Sequence, residues 1–147
     1  MRAESKSPQF RLRSAVFNLL NPIPFGFFVA VLIFDITYAN SANVLWLKSA
    51  AWLVSMGLLF AIVPRFINLG YVWFGKNPAS SLAEKVDFWL NVVGIAAALV
   101  NTFVHSRDAY AVIPDAVWLS IVTVVALAAG KIVLALQKVS FGELAHE

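Results

Sequence analysis

Four long apolar stretches alternate with short polar segments along the chain, and residues 21–38 set the pattern. This stretch, NPIPFGFFVAVLIFDITY, is continuously apolar, with Pro22 and Pro24 at its entrance and one carboxylate, Asp35, near its exit. An apolar run of this length is typical of a transmembrane helix or of a deeply buried helix. Because three more runs of the same kind follow, the pattern favours membrane-spanning helices.

The first two predicted helices cover residues 24–39 and 44–63, joined by a short polar turn of the kind that links antiparallel neighbours. Pro64 is expected to kink the second helix. The sequence after it is expected to continue the helix into the membrane interface. A straight helix from residue 44 to residue 74 would be ~45 Å long, which exceeds the ~30 Å thickness of the hydrocarbon core.

The third helix is predicted over residues 81–106, and the fourth from Pro114-Asp115 to about Gln137. Ser81 and Glu84 form an S-x-x-E capping box, which is a local signal for a helix start. In the fourth helix, Pro lies in the first turn and Asp lies near the positive end of the helix dipole. The predicted fold class is therefore all-α, an integral membrane bundle of four transmembrane helices.

A short amphipathic helix is predicted before the bundle, after Ser7-Pro8. Apolar residues recur at helical spacing on one side of it, and Arg11 and Arg13 lie on the other, which is typical of a helix on a membrane surface. The N-terminus is interpreted as retained rather than as a cleaved signal peptide, because the first apolar run carries Asp35. The predicted organisation is a basic tail with amphipathic helix (1–20), a transmembrane domain (21–138) and a cytoplasmic tail (139–147).

The composition supports a membrane protein and excludes several classes of site. Of the 147 residues, 61% are hydrophobic and only 13% are charged, whereas soluble domains are nearer 45–50% apolar and about 25% charged. Four helices with their connections use the whole length, so a separate soluble catalytic domain does not fit. With no cysteine, disulfides, cysteine-ligated zinc and iron–sulfur clusters are excluded.

Lys and Arg residues are distributed unevenly between the two sides of the predicted bundle. Only Lys48 and Arg107 lie on one side. The other side carries Arg2, Lys6, Arg11, Arg13, Arg65, Lys76, Lys85, Lys131 and Lys138. The positive-inside rule therefore predicts that both termini are cytoplasmic, in a bacterial cytoplasmic membrane. The net charge of +3 is read as an orientation signal, and no nucleic-acid partner is expected.

The third helix carries the most informative polar pattern. Small and polar residues recur at steps of four and three positions and define one narrow face, which we call the α3 stripe: Asp87, Asn91, Gly94, Ala98, Asn101 and His105. Membrane helices use such faces for close packing and for hydrogen bonds between helices. Packing alone accounts for the glycine and the alanine, but less well for two asparagines. The stripe is therefore predicted to face the bundle interior or a second subunit.

Depth along the alternating helices sorts the polar residues into two predicted layers. The outer layer contains Asp35, Lys48, Asn101 and Ser120. The inner layer contains Asn91, Lys131 and either Arg65 or Asn68. Lys131 lies near a helix end and can extend its ammonium group to the headgroups.

Asp35 is the residue that the bundle must accommodate, because its short side chain cannot reach the interface from this depth. One interpretation is a structural ion pair with Lys48, which lies at a matching level across a short turn. The other is a carboxylate that binds a proton or a ligand. The ion pair with Lys48 is the expected outcome, with Asn101 or His105 as the partner if it fails.

The densest polar cluster lies at the predicted outer mouth and consists of His105, Ser106, Arg107, Asp108 and Tyr110. Interfacial anchoring explains it, since a cation is favourable at a helix C-terminus. It is a weak metal site, because the other histidine, His146, lies in the predicted cytoplasmic tail. No hydrolase, zinc-protease, P-loop or dinucleotide-binding motif is present. No cofactor, metal or catalytic residue is therefore predicted, and enzymatic activity is not expected.

Four segments carry a family resemblance: NPIPFGFFVAVLIFDITYA, LLFAIVPRFINL, DFWLNVVGIAAALVNTFVHSRDAYAVIPD and VWLSIVTVVAL. They resemble the small bacterial membrane proteins of domain-of-unknown-function family 2231 over most of residues 21–137. The best matches are the proline-rich entrance with Asp35, then Pro64, Asn91 and residues 101–108. The resemblance implies a four-helix integral membrane fold and no established activity.

The chain departs from that family at three places. Many members have His-Pro where this chain has Asn21-Pro22, a histidine where it has Phe88-Trp89, and an acidic residue where it has Asn68. A role of those histidines in binding haem or metal would therefore not carry over to this chain.

We therefore expect a monomeric or dimeric membrane protein that is non-enzymatic. It would be an accessory subunit, or a module that binds a small ligand or lipid in its polar outer half. The alternative is an oligomeric transporter coupled to protons or ions, with Asp35 as the titrating group. Expected partners are the lipid bilayer and either a second copy of the chain or another membrane protein.

Overall fold

The computed structural model describes the backbone of residues 22–74 and 82–144 and the side chains of residues 22–62 and 82–137. It contains four long helices: α1 (Ile23–Ser41), α2 (Val44–Phe74), α3 (Leu82–His105) and α4 (Asp115–Leu144). A short 3-10 helix, Ala109–Ala111, lies between α3 and α4, and no strand occurs in these ranges. The all-α prediction is confirmed. The predicted N-terminal amphipathic helix and the capping serine, Ser81, lie outside the described residues.

Each of the four helices is long and apolar enough to cross a membrane. The outward surface of the bundle is correspondingly apolar, with large side chains such as Leu45, Trp52 and Phe103 about two-thirds exposed. A soluble protein would bury such side chains, whereas lipid acyl chains accommodate them. The chain is a multi-pass membrane protein built as a four-helix bundle.

Two helices are longer than the apolar runs that predicted them. α2 continues past Pro64 to Phe74, in agreement with the predicted continuation. α4 continues past its predicted end near Gln137 to Leu144, so the first part of the predicted 139–147 tail is helical. The predicted ends follow the ends of the apolar runs. A helix can continue beyond its apolar run, because it ends only where its backbone hydrogen bonds stop.

The helices form a closed ring in which α1 packs on α2 and α4, and α3 packs on α4 and α2. The turn between α1 and α2 is tight: Ala42 adopts a left-handed conformation and its N–H donates to the carbonyl of Tyr38. Asn43 Oδ1 then accepts from Leu45 N at 3.0 Å, which caps the start of α2. The turn therefore makes α1 and α2 an antiparallel hairpin, as predicted.

Two apolar clusters fill the interior and are separated along α1 by Asp35. One surrounds Phe28 and Val31, which pack with Val54, Ala98 and Leu127. The other lies nearer Ala42 and the loop at residues 106–114, at the predicted outer end of the bundle. It consists of Tyr38, Leu47, Val104, Val112 and Ala116. A polar centre thus lies between two apolar layers.

Candidate functional site

The α3 stripe faces the bundle interior, as predicted. Its six residues are all buried, together with Val104. Gly94 lies against α4, where a Cβ atom would meet Leu127 Cγ at 3.0 Å, so the small residue permits a close helix contact. The asparagines and the histidine on the same face then lie within reach of α1 and α4.

Four side chains from three helices form a hydrogen-bonded ring at the polar centre, which we call the Asp35 ring. Asp35 Oδ1 is 2.8 Å from His105 Nε2, and Asp35 Oδ2 accepts from Ser120 Oγ at 2.5 Å. Ser120 Oγ accepts in turn from Asn101 Nδ2 at 2.8 Å. His105 Nδ1 lies 2.9 Å from the carbonyl oxygen of Asn101, which closes the ring. Asp35 itself is fully buried.

The donors and acceptors of the ring require one proton between Asp35 and His105. A carbonyl oxygen can only accept, so His105 Nδ1 carries a hydrogen and donates it to Asn101. The contact between Nε2 and Asp35 Oδ1 is then a hydrogen bond only when a proton lies between these atoms, on either the imidazole or the carboxyl group. In both forms the pair has no net charge, which suits a site buried in low dielectric.

One acceptor in the ring is left unused. Asn101 Oδ1 is buried and accepts no hydrogen bond from the described part of the chain. The asparagine lines a narrow, mainly apolar gap at the centre of the bundle, which has no room for a water molecule. The other lining residues are Ser120, Thr123, Phe28, Val31, Val54 and Ala98. The Thr123 hydroxyl donates to the carbonyl of Leu119, and its oxygen can still accept hydrogen bonds. One buried acceptor at the polar centre, Asn101 Oδ1, is therefore without a donor in the described part of the chain.

The loop between α3 and α4 closes over the ring at the predicted outer end. The Tyr38 hydroxyl donates to the carbonyl oxygen of Ala109 at 2.9 Å, which ties α1 to this loop. Val112 is fully buried beside Tyr38 and Val104. Asp108 caps the 3-10 helix by accepting from Ala109 N at 2.8 Å. An apolar layer therefore separates the ring from the bundle end.

A second polar cluster lies at the other end of α3. Asn91 Nδ2 donates to both the carbonyl and the carboxylate of Asp87, each at 2.7 Å. A Cβ atom on Gly130 would lie 2.6 Å from Asp87 Oδ1, so only glycine fits the present packing. Lys131 places its ammonium nitrogen 5.5 Å from the centre of the Phe25 ring. The predicted inner layer thus contains Asn91 and Lys131 together with Asp87, while the Arg65 and Asn68 side chains lie outside the described set.

The predicted ion pair between Asp35 and Lys48 is wrong. The Lys48 side chain is exposed, while both carboxylate oxygens of Asp35 are used by His105 and Ser120. The layer predicted to be the outer one therefore consists of Asp35, Asn101 and Ser120, with His105 in place of Lys48. An exposed lysine can extend along the helix to the headgroups, so it needs no acidic partner.

The predicted cluster at the mouth divides into separate parts. His105 belongs to the Asp35 ring. Arg107 and Asp115 form an ion pair at 3.3 Å whose side chains are both more than half exposed, and such surface pairs contribute little to stability. Asp108 is also exposed. The anchoring interpretation fits Arg107 and Asp108 but not His105.

Sequence reasoning missed one residue at the polar centre, Thr123, and one beside it, Tyr38. Thr123 lies one turn after Ser120 on α4, so the spacing of the two hydroxyls was an available signal. Tyr38 lies one turn after Asp35 on the same face of α1, and its distance in sequence from Ala109 hid their contact.

Comparison with protein-family models, curated proteins and solved structures finds no match to this chain. Within the described residues, no three His, Cys, Asp or Glu side chains come together as a metal-binding group.

Proposed function

We propose that this protein is a non-enzymatic membrane module that binds one proton between Asp35 and His105 and thereby holds α1 against α3. In this proposal, the small ligand expected in the polar outer half of the bundle is a proton. The proposal places the chain in a bacterial cytoplasmic membrane with both termini cytoplasmic, acting as an accessory protein to a membrane partner or a second copy. Membership of domain-of-unknown-function family 2231 belongs to the same proposal and adds no activity to it.

The contact between His105 Nε2 and Asp35 Oδ1 carries the proposal. If the proton leaves, a lone pair on nitrogen faces a carboxylate at 2.8 Å, and one uncompensated negative charge remains in a fully buried position. Both consequences are unfavourable in low dielectric. Release of the proton is therefore coupled to separation of Asp35 from His105, and so to movement of α1 relative to α3.

The direction of the Ser120 hydroxyl supports a non-enzymatic role. An activated serine nucleophile donates its hydrogen to a base, usually an imidazole. Here Ser120 donates to the carboxylate of Asp35, and His105 uses its two nitrogens on Asp35 and on the carbonyl of Asn101. The serine is held by the ring, and no described base is positioned to activate it.

The alternative function is an oligomeric transporter that couples proton movement at Asp35 to transport of a small solute. The position of the pair favours this alternative, because Asp35 and His105 belong to different helical hairpins that release of the proton would separate. Against it, apolar layers close the ring on both sides along α1. A path would have to form between subunits.

Infrared spectroscopy of the purified protein tests the proton-binding proposal. Titration with pH should show one carboxyl or imidazolium band that disappears in Asp35→Asn and in His105→Gln. Asp115→Asn is the matched control, because the Asp115 side chain is more than half exposed and lies outside the Asp35 ring. The proposal fails if the titrating band is the same in Asp35→Asn as in the unmodified protein.

The orientation is tested by single-cysteine labelling, which the absence of native cysteine makes clean. A membrane-impermeant maleimide should label Tyr110→Cys in intact cells, since Tyr110 is 91% exposed at the predicted outer end. Glu147→Cys should react only after the cells are opened. Labelling of Glu147→Cys in intact cells would reverse the proposed topology.

A further inference from the structure

The Asp35 ring lies close to one end of the bundle and far from the other. Asp35 is six residues before the end of α1 and twelve residues after its start, which correspond to ~9 Å and ~18 Å along the helix. Ser120 is five residues after the start of α4, or ~8 Å from the loop at residues 106–114. His105 is the last residue of α3 and is followed directly by that loop. The end of the bundle nearer to the ring is therefore the end that carries this loop, which we call the loop side.

A single layer of apolar side chains covers the ring on the loop side. Val112 and Ala116 are fully buried in this layer and pack with Tyr38, which lies one turn after Asp35. The Tyr38 hydroxyl donates to the carbonyl oxygen of Ala109 and so fastens the loop over the layer. The loop itself is largely exposed. A displacement of the loop would therefore bring water within reach of the ring.

The opposite side of the ring is closed by a thicker barrier. The apolar cluster around Phe28 and Val31 lies there. It lines most of the narrow gap beside Asn101, which has no room for a water molecule and so cannot hold the water chain along which a proton would pass. The next polar residue of the α3 stripe is Asn91, ~15 Å before Asn101, with only glycine and alanine of the stripe between them. A proton on this side would have to cross dry, apolar packing.

We propose that the Asp35 ring exchanges its proton only with the aqueous phase on the loop side. In the proposed topology the loop side is the outside of the cell, so the protein senses external pH. Each release transfers one proton to water on that side and leaves one negative charge on the pair of Asp35 and His105. The inference rests on the proposed function, because it adds a direction of exchange to the proton that this pair binds.

No other described charge competes for this proton. On α1, Asp35 is the only charged residue, and the Tyr38 hydroxyl is held by its bond to the loop. On α2, the only charged side chain described is Lys48, which is exposed. On α3 and α4, the ring is faced by His105 and by the uncharged Ser120. The remaining described charged side chains are either exposed on the loop side or lie at the other end of the bundle: Glu84, Lys85, Asp87, Arg107, Asp108, Asp115 and Lys131.

The test is cysteine labelling of the full chain in lipid vesicles whose internal and external pH are set separately. Because the chain has no cysteine, Val112→Cys supplies a single thiol inside the layer that covers the ring. A membrane-impermeant maleimide added outside reaches this thiol only in molecules whose loop side faces out, so mixed orientations do not affect the result. Tyr110→Cys is the matched control in the same loop. Its side chain is 91% exposed, so its labelling rate corrects for the effect of pH on the reaction itself.

We expect the labelling rate of Val112→Cys, divided by that of Tyr110→Cys, to depend on external pH alone. Because opening releases one proton, the ratio should rise about tenfold for each unit of external pH until the site has titrated. It should not change when only the internal pH is raised. Adding Asp35→Asn should abolish the dependence, and Ala116→Cys, at another fully buried position of the layer, should report the same response as Val112→Cys. A ratio that follows internal pH, or that is constant at every pH, overturns the inference.

The two proposals fail in different ways. If infrared titration finds the proton at Asp35 and His105 but labelling follows internal pH, the direction of exchange is wrong and the proton-binding function stands. The same holds if the proton is found and the labelling ratio is constant. If infrared titration finds no proton at this pair, both proposals are wrong.

Discussion

His105 Nε2 lies 2.8 Å from Asp35 Oδ1 across a separation of 70 residues in sequence. The contact crosses the bundle from α1 to α3, which are not among the closely packed helix neighbours. It joins the first helical hairpin to the second at the level of the polar centre. The stability of the bundle and its response to pH should therefore both depend on this one pair.

A double-mutant cycle on Asp35→Asn and His105→Gln should show strong coupling. Removal of one partner of a buried charged pair costs about 3–5 kcal/mol of unfolding free energy. The double variant should lose less than the sum of the single losses, because no unpaired charge remains. The measurement is reversible unfolding in mixed detergent micelles.

Lys48→Met is the control for this cycle, since Lys48 is exposed. Its unfolding free energy should change by no more than about 0.5 kcal/mol. Additive losses for Asp35 and His105 would show that the two residues are not coupled, and a large loss for Lys48→Met would contradict its exposed position.

The pH dependence of stability follows from counting protons on the pair. In the proposed state the folded pair holds one proton. The unfolded chain holds one between about pH 4 and 6.5 and none above, given ordinary pKa values of about 3.9 for Asp and 6.5 for His. Above about pH 6.5 the folded state therefore binds one proton more, and stability should fall by about 1.4 kcal/mol per pH unit until the fold itself releases the proton.

The measurement is the unfolding free energy against pH for the unmodified protein minus that for the double variant Asp35→Asn, His105→Gln. Subtraction removes the contribution of every other titrating group. A difference that stays constant from pH 6.5 upwards would show that the pair holds no proton in the fold.

Gly130→Ala should destabilise the protein, whereas Gly26→Ala should not. A Cβ atom on Gly130 would lie 2.6 Å from Asp87 Oδ1, so the Asp87–Asn91 cluster must shift, at a cost of about 1–3 kcal/mol. Nothing lies within 4 Å of a Cβ atom on Gly26, and alanine favours the helix. Thermal unfolding compares the two variants, and equal midpoints would show that the close contact at Gly130 has no energetic consequence.

Tyr38→Phe should loosen the loop over the ring. The hydroxyl donates to the carbonyl of Ala109, and loss of such a bond costs about 1 kcal/mol. Hydrogen exchange at residues 106–114 should become faster, while Tyr110→Phe, at a side chain that is 91% exposed, should leave it unchanged. Identical exchange in both variants would mean that the hydroxyl does not hold the loop.

The sequence by itself determined the four spans and the inward face of α3. Both depend on local periodicity: an apolar run long enough to cross the bilayer, and polar residues spaced to lie on one side of a helix. The burial of Asn91, Asn101 and His105 follows from that spacing alone. Asp35 and Ser120 were predicted to lie at a similar level and they are in contact, because position along a helix is residue number multiplied by helical rise.

Only the tertiary structure decided which side chains meet at a given depth. Lys48 and Asp35 were predicted to share a level, but the face of α2 that packs inward is that of Leu47, Ala50 and Val54, which leaves Lys48 on the exposed side of the helix. The rotation of a helix about its axis is set by packing, as where a Cβ atom on Gly57 would contact Phe28 at 3.0 Å. Depth is a property of one helix, whereas a hydrogen bond between helices depends on the rotation of both. The partner of Asp35 is therefore determined by how the packed helices are rotated about their axes.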